Sequence, residues 1–153
     1  MGDDTKADIG DLVKSWISGF DGAMDFRYVS ASGDEVVIEY DVNEKHLQTY
    51  GIVHGGVHCG AIEAACSTGA SIGAMARGQA VVGVENHTSF IRAVRAGRVR
   101  VTATPLSRGR RSQVWEATAR NEAGQIVSTG RVRLLCLDAG SDLAGEKVER
   151  RQR

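Results

Sequence analysis

The stretch Gly51–Ala76, GIVHGGVHCGAIEAACSTGASIGAMA, constrains the fold more than any other part of the chain. It opens on a His54-Gly55-Gly56 turn and continues without proline, with alanine dominant from Ala61 to Ala76. Few of its residues are β-branched, so it reads as a long helix in spite of its interior glycines. Each such glycine weakens a helix by roughly 1 kcal/mol against alanine, and packing from outside must offset that. Gly60, Gly69 and Gly73 are expected to admit another backbone more closely than any side chain would allow. One acid, Glu63, lies in this slim helix beside Ile62, Ala64, Ala65 and Cys66, with no lysine or arginine one turn away. A solitary carboxylate there is either solvated on a wet face or kept for chemistry.

The flanking sequence supplies the strands. Ile9, Leu12, Val13, Trp16, Ile17 and Phe20 recur at helical spacing and predict an amphipathic helix over Asp8–Phe20, closed by Gly19 and Gly22. Met24–Val29 and Glu35–Val42 alternate, the second with Val36, Ile38, Tyr40 and Val42 on one face, and Ser32-Gly33-Asp34 joins them as a hairpin turn. After the helix come four strand-like runs, Val81–Ile91, Arg98–Leu106, Gln113–Arg120 and Ile126–Leu137, with short turn-like separators that imply antiparallel neighbours. Pro105 predicts a bulge or an edge. Residues 139–153 are polar and aperiodic and read as a loose tail. The layout predicts an α+β fold, a sheet of about six antiparallel strands curled around one long helix.

At 153 residues the chain suits one domain with its own core. Formal charge balances to zero, which argues against a nucleic-acid or polyanion partner. Arginine nevertheless outnumbers lysine, and seven arginines lie between Arg92 and Arg111, the side chain suited to forked contacts with phosphate. Cys59, Cys66 and Cys136 lack metal-type spacing and read as small buried residues of a reducing compartment. The opening MGDDTKADIG carries no signal-peptide pattern and no apolar run is long enough to span a bilayer, so a soluble cytoplasmic protein is expected.

Several segments together resemble a known family: Gly51-Ile52-Val53-His54-Gly55-Gly56, Glu63 eight residues after Gly55, Val81-Val82-Gly83-Val84-Glu85, Gly97-Arg98-Val99, and Gly109-Arg110-Arg111-Ser112-Gln113-Val114-Trp115. They resemble the hotdog-fold acyl-CoA thioesterases of the PaaI-like superfamily. The likeness is nearest to the branch of the Arthrobacter-type 4-hydroxybenzoyl-CoA thioesterase and the bacterial dihydroxynaphthoyl-CoA and enterobactin-proofreading thioesterases. It covers roughly Met24 to Leu137. The implied organisation is an N-terminal helix over 1–22, a hotdog domain over 23–138 and a polar tail over 139–153.

The resemblance implies hydrolysis of an aromatic or medium-chain acyl-CoA, with no cofactor beyond the coenzyme A of the substrate and no metal. Thioester hydrolysis needs a held carbonyl, a donor for its developing oxyanion and a carboxylate to attack it or to activate water. The amides of Gly55 and Gly56 at the helix N-terminus offer donors, and Glu63 offers the carboxylate as nucleophile or general base. Glutamate rather than aspartate at this position places the chain away from the phenylacetyl-CoA type. His54 is expected to orient the thioester or cap the helix, Gln48 to hold the carbonyl or the water, and Ser67 to position the water. Arg108, Gly109, Arg110 and Arg111 are expected to cradle the nucleotide phosphates, and Val82-Gly83 to run beside the pantetheine arm. For each of these an ordinary loop, turn or helix-surface role is the alternative. His58 and His87 lack a partner pattern, and Asn86-His87-Thr88-Ser89 departs from the branch's pattern and leaves the acyl pocket unassigned.

Eight residues of helix rise about 12 Å, too far for Glu63 to reach a carbonyl held at its own Gly55. Two helices lying antiparallel in a dimer would bring the two together, so a homodimer or homotetramer with shared sites is expected. Two other classes are possible for such a chain. A hotdog dehydratase would need the proline-glycine element before the acid, which is absent, and a non-catalytic acyl-CoA-binding hotdog protein could dispense with Glu63.

Overall fold

The computed structural model describes residues 11–17 and 19–149. Residues 11–14 are helical, and a second short helix, α1, spans Gly19–Ala23. The single helix expected over Asp8–Phe20 is therefore interrupted in its described part, and residues 8–10 and 18 lie outside the described residues. Gly19 takes φ +57, a left-handed conformation that ends one helical path and starts the next.

The strands follow the alternation closely. β1 (Arg27–Ala31) and β2 (Val36–Asp41) form the first hairpin, with Ser32 Oγ accepting from the amides of Asp34 and Glu35 across the turn. β1 begins later than Met24, because the Phe26 amide donates to the Asp21 carbonyl and extends the α1 turn. The long helix α2 occupies Gly55–Met75. β3 (Ala80–Phe90), β4 (Arg98–Arg108), β5 (Ser112–Arg120) and β6 (Ile126–Leu137) complete one antiparallel sheet in the order β1-β2-β4-β5-β6-β3. The segment read as a loose tail contains a small hairpin, β7 (Asp142–Leu143) with β8 (Glu146–Lys147). Pro105 sits at a register shift between Pro105 and Ser107, so it marks a bulge, and β4 is an interior strand.

The sheet wraps α2, which packs against β2, β3, β4, β5 and β6. Its glycines admit close partners, a backbone turn as expected at Gly73 but aromatic rings at Gly60 and Gly69. A Cβ on Gly60 would lie 2.4 Å from the Phe20 ring, and one on Gly69 would lie 2.4 Å from the Trp115 ring. Gly73 faces the β1–β2 turn, whose Gly33 would carry a Cβ 3.4 Å from the Gly73 Cα. Within the chain the close approaches are made by two rings and a turn. Trp115 is fully buried and its indole N–H donates to Gln113 Oε1 at 2.9 Å, while Gln113 Nε2 donates to the Ala70 carbonyl at 3.2 Å. That chain of bonds fastens β5 to α2 inside the core and leaves the buried Gln113 amide satisfied. Cys59, Cys66 and Cys136 are all free. Among the described residues no helix is long and apolar enough to cross a membrane.

Candidate active site

His54 has extended backbone angles, φ −63 and ψ 136, and caps α2 by accepting the Gly56 amide at Nδ1, 2.8 Å away. Gly56 is therefore not a free donor, contrary to the sequence expectation: capping uses the amide that the motif seemed to offer. The Gly55 amide has no acceptor among the described residues. It points from the positive end of a long helix dipole, where a developing negative charge is stabilised. The room left by the missing Gly55 side chain is taken by Phe90, because a Cβ there would lie 2.7 Å from the ring.

Around this amide lies a cavity of about 260 Å³, lined by Gln48, Ile52, Val53, Gly55, His58, Phe90, Ile91, Arg92 and Ala93. Gln48 is placed on the rim by a bridge between Leu47 and Val53, and its Oε1 accepts from the Tyr50 amide. His58, left without a role by its sequence context, is 4% exposed and its Nδ1 pairs with Ser128 Oγ at 3.3 Å. Burial pushes this imidazole down to about 4, so the ring is neutral at physiological pH.

Glu63 lies further along α2 and is far from solitary. Ser67 Oγ donates to Glu63 Oε1 at 3.0 Å, and Asn86 Nδ2 donates to Glu63 Oε2 at 3.0 Å. Gly83 gives the carboxylate its room: a Cβ at that position would lie 2.1 Å from Oε1. Sequence reasoning placed Gly83 against the substrate, and Val82 beside it; the structure puts Gly83 directly against Glu63. Asn86 was missed altogether, since no spacing in the sequence links it to Glu63. Glu63 and Gly55 occupy one unbroken helix, and their eight-residue separation is about 12 Å of rise, so one chain does not bring them together.

The basic turn is only partly available. Arg108 donates to Asp34 Oδ1 at 2.6 Å and to the Gly33 carbonyl at 3.0 Å, so it ties β4 to the first hairpin. Arg110 and Arg111 are exposed on the β4–β5 turn. Gly109 keeps that turn tight, because a Cβ would meet the Ser112 carbonyl oxygen at 2.7 Å. Of the other arginines, Arg98 and Arg100 pair with Asp41 and Glu39 along the strands, and Arg95 donates to the Tyr50 carbonyl at 2.8 Å.

Comparison with known proteins gives the family and the fold. Residues 50–128 match the thioesterase superfamily. Rv1847 of Mycobacterium tuberculosis, named as an esterase, is 39% identical over 122 residues, covering 78% of this chain and 87% of that one. Its solved structure superposes with a TM-score of 0.77 at 40% identity, covering 78% of this chain and 97% of that one. The 1,4-dihydroxy-2-naphthoyl-CoA hydrolase of Escherichia coli is 31% identical over 113 residues, covering 72% of this chain and 81% of that one. The structure of the Haemophilus influenzae thioesterase HI1161 has a TM-score of 0.77 at 25% identity, covering 87% of this chain and 90% of that one.

Proposed function

Since the chain belongs to the thioesterase superfamily, a family of thioester hydrolases, we propose that it hydrolyses the thioester of an aromatic or medium-chain acyl-CoA at a site shared between two copies. One observation carries this reading: α2 holds an unengaged Gly55 amide at its start and, about 12 Å further on, a carboxylate gripped on both oxygens. In an antiparallel pair of such helices, Glu63 of one copy meets the carbonyl held at Gly55 of the other. Glu63 acts as general base or nucleophile. As base, it takes a proton from water while the oxygen adds to the carbonyl, the Gly55 N–H stabilises the oxyanion, and the C–S bond breaks to release protonated coenzyme A and the acid. His54 serves this step by capping the helix, which leaves Gly55 as the donor. Gln48 holds the carbonyl or the water from the rim, and Ser67 steadies the carboxylate. The cavity beside Gly55, about 260 Å³, suits a compact acyl group. The likeness to the Escherichia coli 1,4-dihydroxy-2-naphthoyl-CoA hydrolase supports an aromatic acyl group, and we extend the reading to a cytoplasmic homodimer or homotetramer. The grip on Glu63 favours catalysis over a purely binding role.

Thiol release from a panel of acyl-CoAs tests the activity, and subunit mixing tests the shared site. Glu63→Gln chains mixed with Gly55→Pro chains should regain part of the wild-type rate, since one hybrid site has both groups intact. Proline lacks the N–H and suits the first position of a helix, but its ring must displace Phe90, so a thermal melt of that variant accompanies the mixing. Confirmed subunit exchange without recovery would contradict a shared site.

With Arg108 held by Asp34, the coenzyme phosphates fall to Arg110 and Arg111, with Val82 and Gly83 flanking the arm. Replacing both arginines by alanine should raise KM for acyl-CoA with a smaller change in kcat, as for contacts equal in ground and transition states. The loss should shrink with added salt, because exposed charges are screened over about 10 Å at 0.1 M. An acyl-pantetheine lacking the nucleotide should be insensitive to the change. Equal losses on both substrates would make the turn structural.

A further inference from the structure

β3 is not a plain alternating strand. Its pairing with β6 runs Gly83↔Leu134 and then Glu85↔Arg133, which leaves Val84 as an extra residue. In a regular strand, residues three apart face opposite sides of the sheet. Here Gly83 and Asn86 both face α2: a Cβ on Gly83 would lie 2.1 Å from Glu63 Oε1, and Asn86 Nδ2 lies 3.0 Å from Glu63 Oε2. The bulge is what turns Asn86 inward.

Both ends of the Asn86 amide are engaged. Nδ2 donates to Glu63 Oε2 and to the Cys59 carbonyl at 3.1 Å, and Oδ1 accepts from Thr88 Oγ1 at 2.7 Å. The flipped amide would set its oxygen against two acceptors, the Glu63 carboxylate and the Cys59 carbonyl, so the neighbours select this orientation. Thr88 stands over its pairing partner Gly130, where a Cβ would come 2.6 Å from the hydroxyl. Two glycines on neighbouring strands, Gly83 and Gly130, thus clear the space in which Thr88, Asn86 and Glu63 line up.

We infer that Asn86, oriented by Thr88, is a positioning residue for the Glu63 carboxylate. This rests on the reading of Glu63 as the reacting carboxylate. With Ser67 on one oxygen and Asn86 on the other, each oxygen keeps a lone pair beyond its single donor. The carboxylate is fixed in plane while an open lone pair faces the reaction. Asn86 and Thr88 therefore act through Glu63, and their removal lowers the rate of the chemical step more than the binding of substrate.

The test is steady-state thiol release on the assembled enzyme. Asn86→Leu should lower kcat about tenfold to a hundredfold, the usual cost of removing a group that orients a reacting ligand, with KM within about threefold of wild type. Thr88→Val keeps the shape and removes the donor; it should lower kcat roughly threefold to tenfold, and Thr88→Ser should restore the rate. In a Glu63→Gln background, Asn86→Leu should add no further loss, because the two act as one unit. An undiminished loss in that background, an effect confined to KM, or Thr88→Ser no better than Thr88→Val would each overturn the role. If Asn86→Leu loses its cooperative melting, the Thr88 pair decides alone. A wild type that turns over no acyl-CoA removes the proposed function together with this role, whereas the other adverse outcomes remove only the role.

Discussion

Glu63→Gln is expected to lower kcat by roughly a thousandfold or more, within the range lost when a general base or nucleophile is removed, while melting temperature and acyl-CoA binding stay close to wild type. The substitution preserves volume, and the surroundings can accept it. The oxygen of the new side-chain amide, turned toward Asn86, would receive the Nδ2 donor that now reaches Oε2. Its nitrogen could donate to Ser67, whose hydroxyl can accept as well as donate. The polar partners therefore remain satisfied, and only the charge is lost. Glu63→Asp should fall between the two, since it withdraws the carboxylate by one methylene from Asn86 and from the carbonyl together. Thiol-release kinetics with parallel thermal melts check both variants. A Glu63→Gln enzyme within tenfold of the wild-type rate would remove Glu63 from its role.

Gly69→Ala should destabilise the fold, although alanine ordinarily strengthens a helix by about 1 kcal/mol over glycine. The new Cβ would lie 2.4 Å from two atoms of the Trp115 ring, which cannot swing aside because its indole N–H is tied to Gln113 and it is fully buried. Overpacking of this kind costs about 1–3 kcal/mol or more, which outweighs the helix gain. A net loss of that order lowers Tm by roughly 5 °C in a chain of this size. Trp115→Phe should partly rescue Gly69→Ala while being destabilising alone, a coupling readable as a double-mutant cycle. A raised Tm in the single Gly69→Ala variant would mean that the ring is not held as the structure has it.

The strands were legible because their alternation is clean, and the long helix because alanine dominates it and proline is absent. Val36, Ile38 and Tyr40 all turn inward as the alternation requires, and the chain leaves α2 after Met75 through Gly78, whose φ of +65 favours a residue without a side chain. What was not legible depends on contacts distant in sequence. The glycines of α2 announced close approach but not that Phe20, Trp115 and the β1–β2 turn would make it. The arginine cluster gave no sign that Arg108 would pair with Asp34. Asn86 stayed hidden because alternation from Val81 puts it on the wrong face; a single extra residue at Val84 reverses that. Gly55, His54 and Glu63 could be picked out as a motif, whereas the capture of the Gly56 amide by His54 required the ring's position.

The strand order also bears on how the parts of the candidate site meet during folding. β3 follows α2 directly in the chain, yet among the described residues its neighbour in the sheet is β6, so Phe90 pairs with Ser128 and Ala80 with Leu137. Without β6, β3 lacks its ladder, and only its packing and hydrogen bonds on α2 hold Gly83 and Asn86 there. Closing that long loop costs more entropy than closing the hairpins of shorter separation. The grip on Glu63 thus leans on a strand pairing made across a long stretch of chain, although its donors and acceptors lie within a short span of sequence.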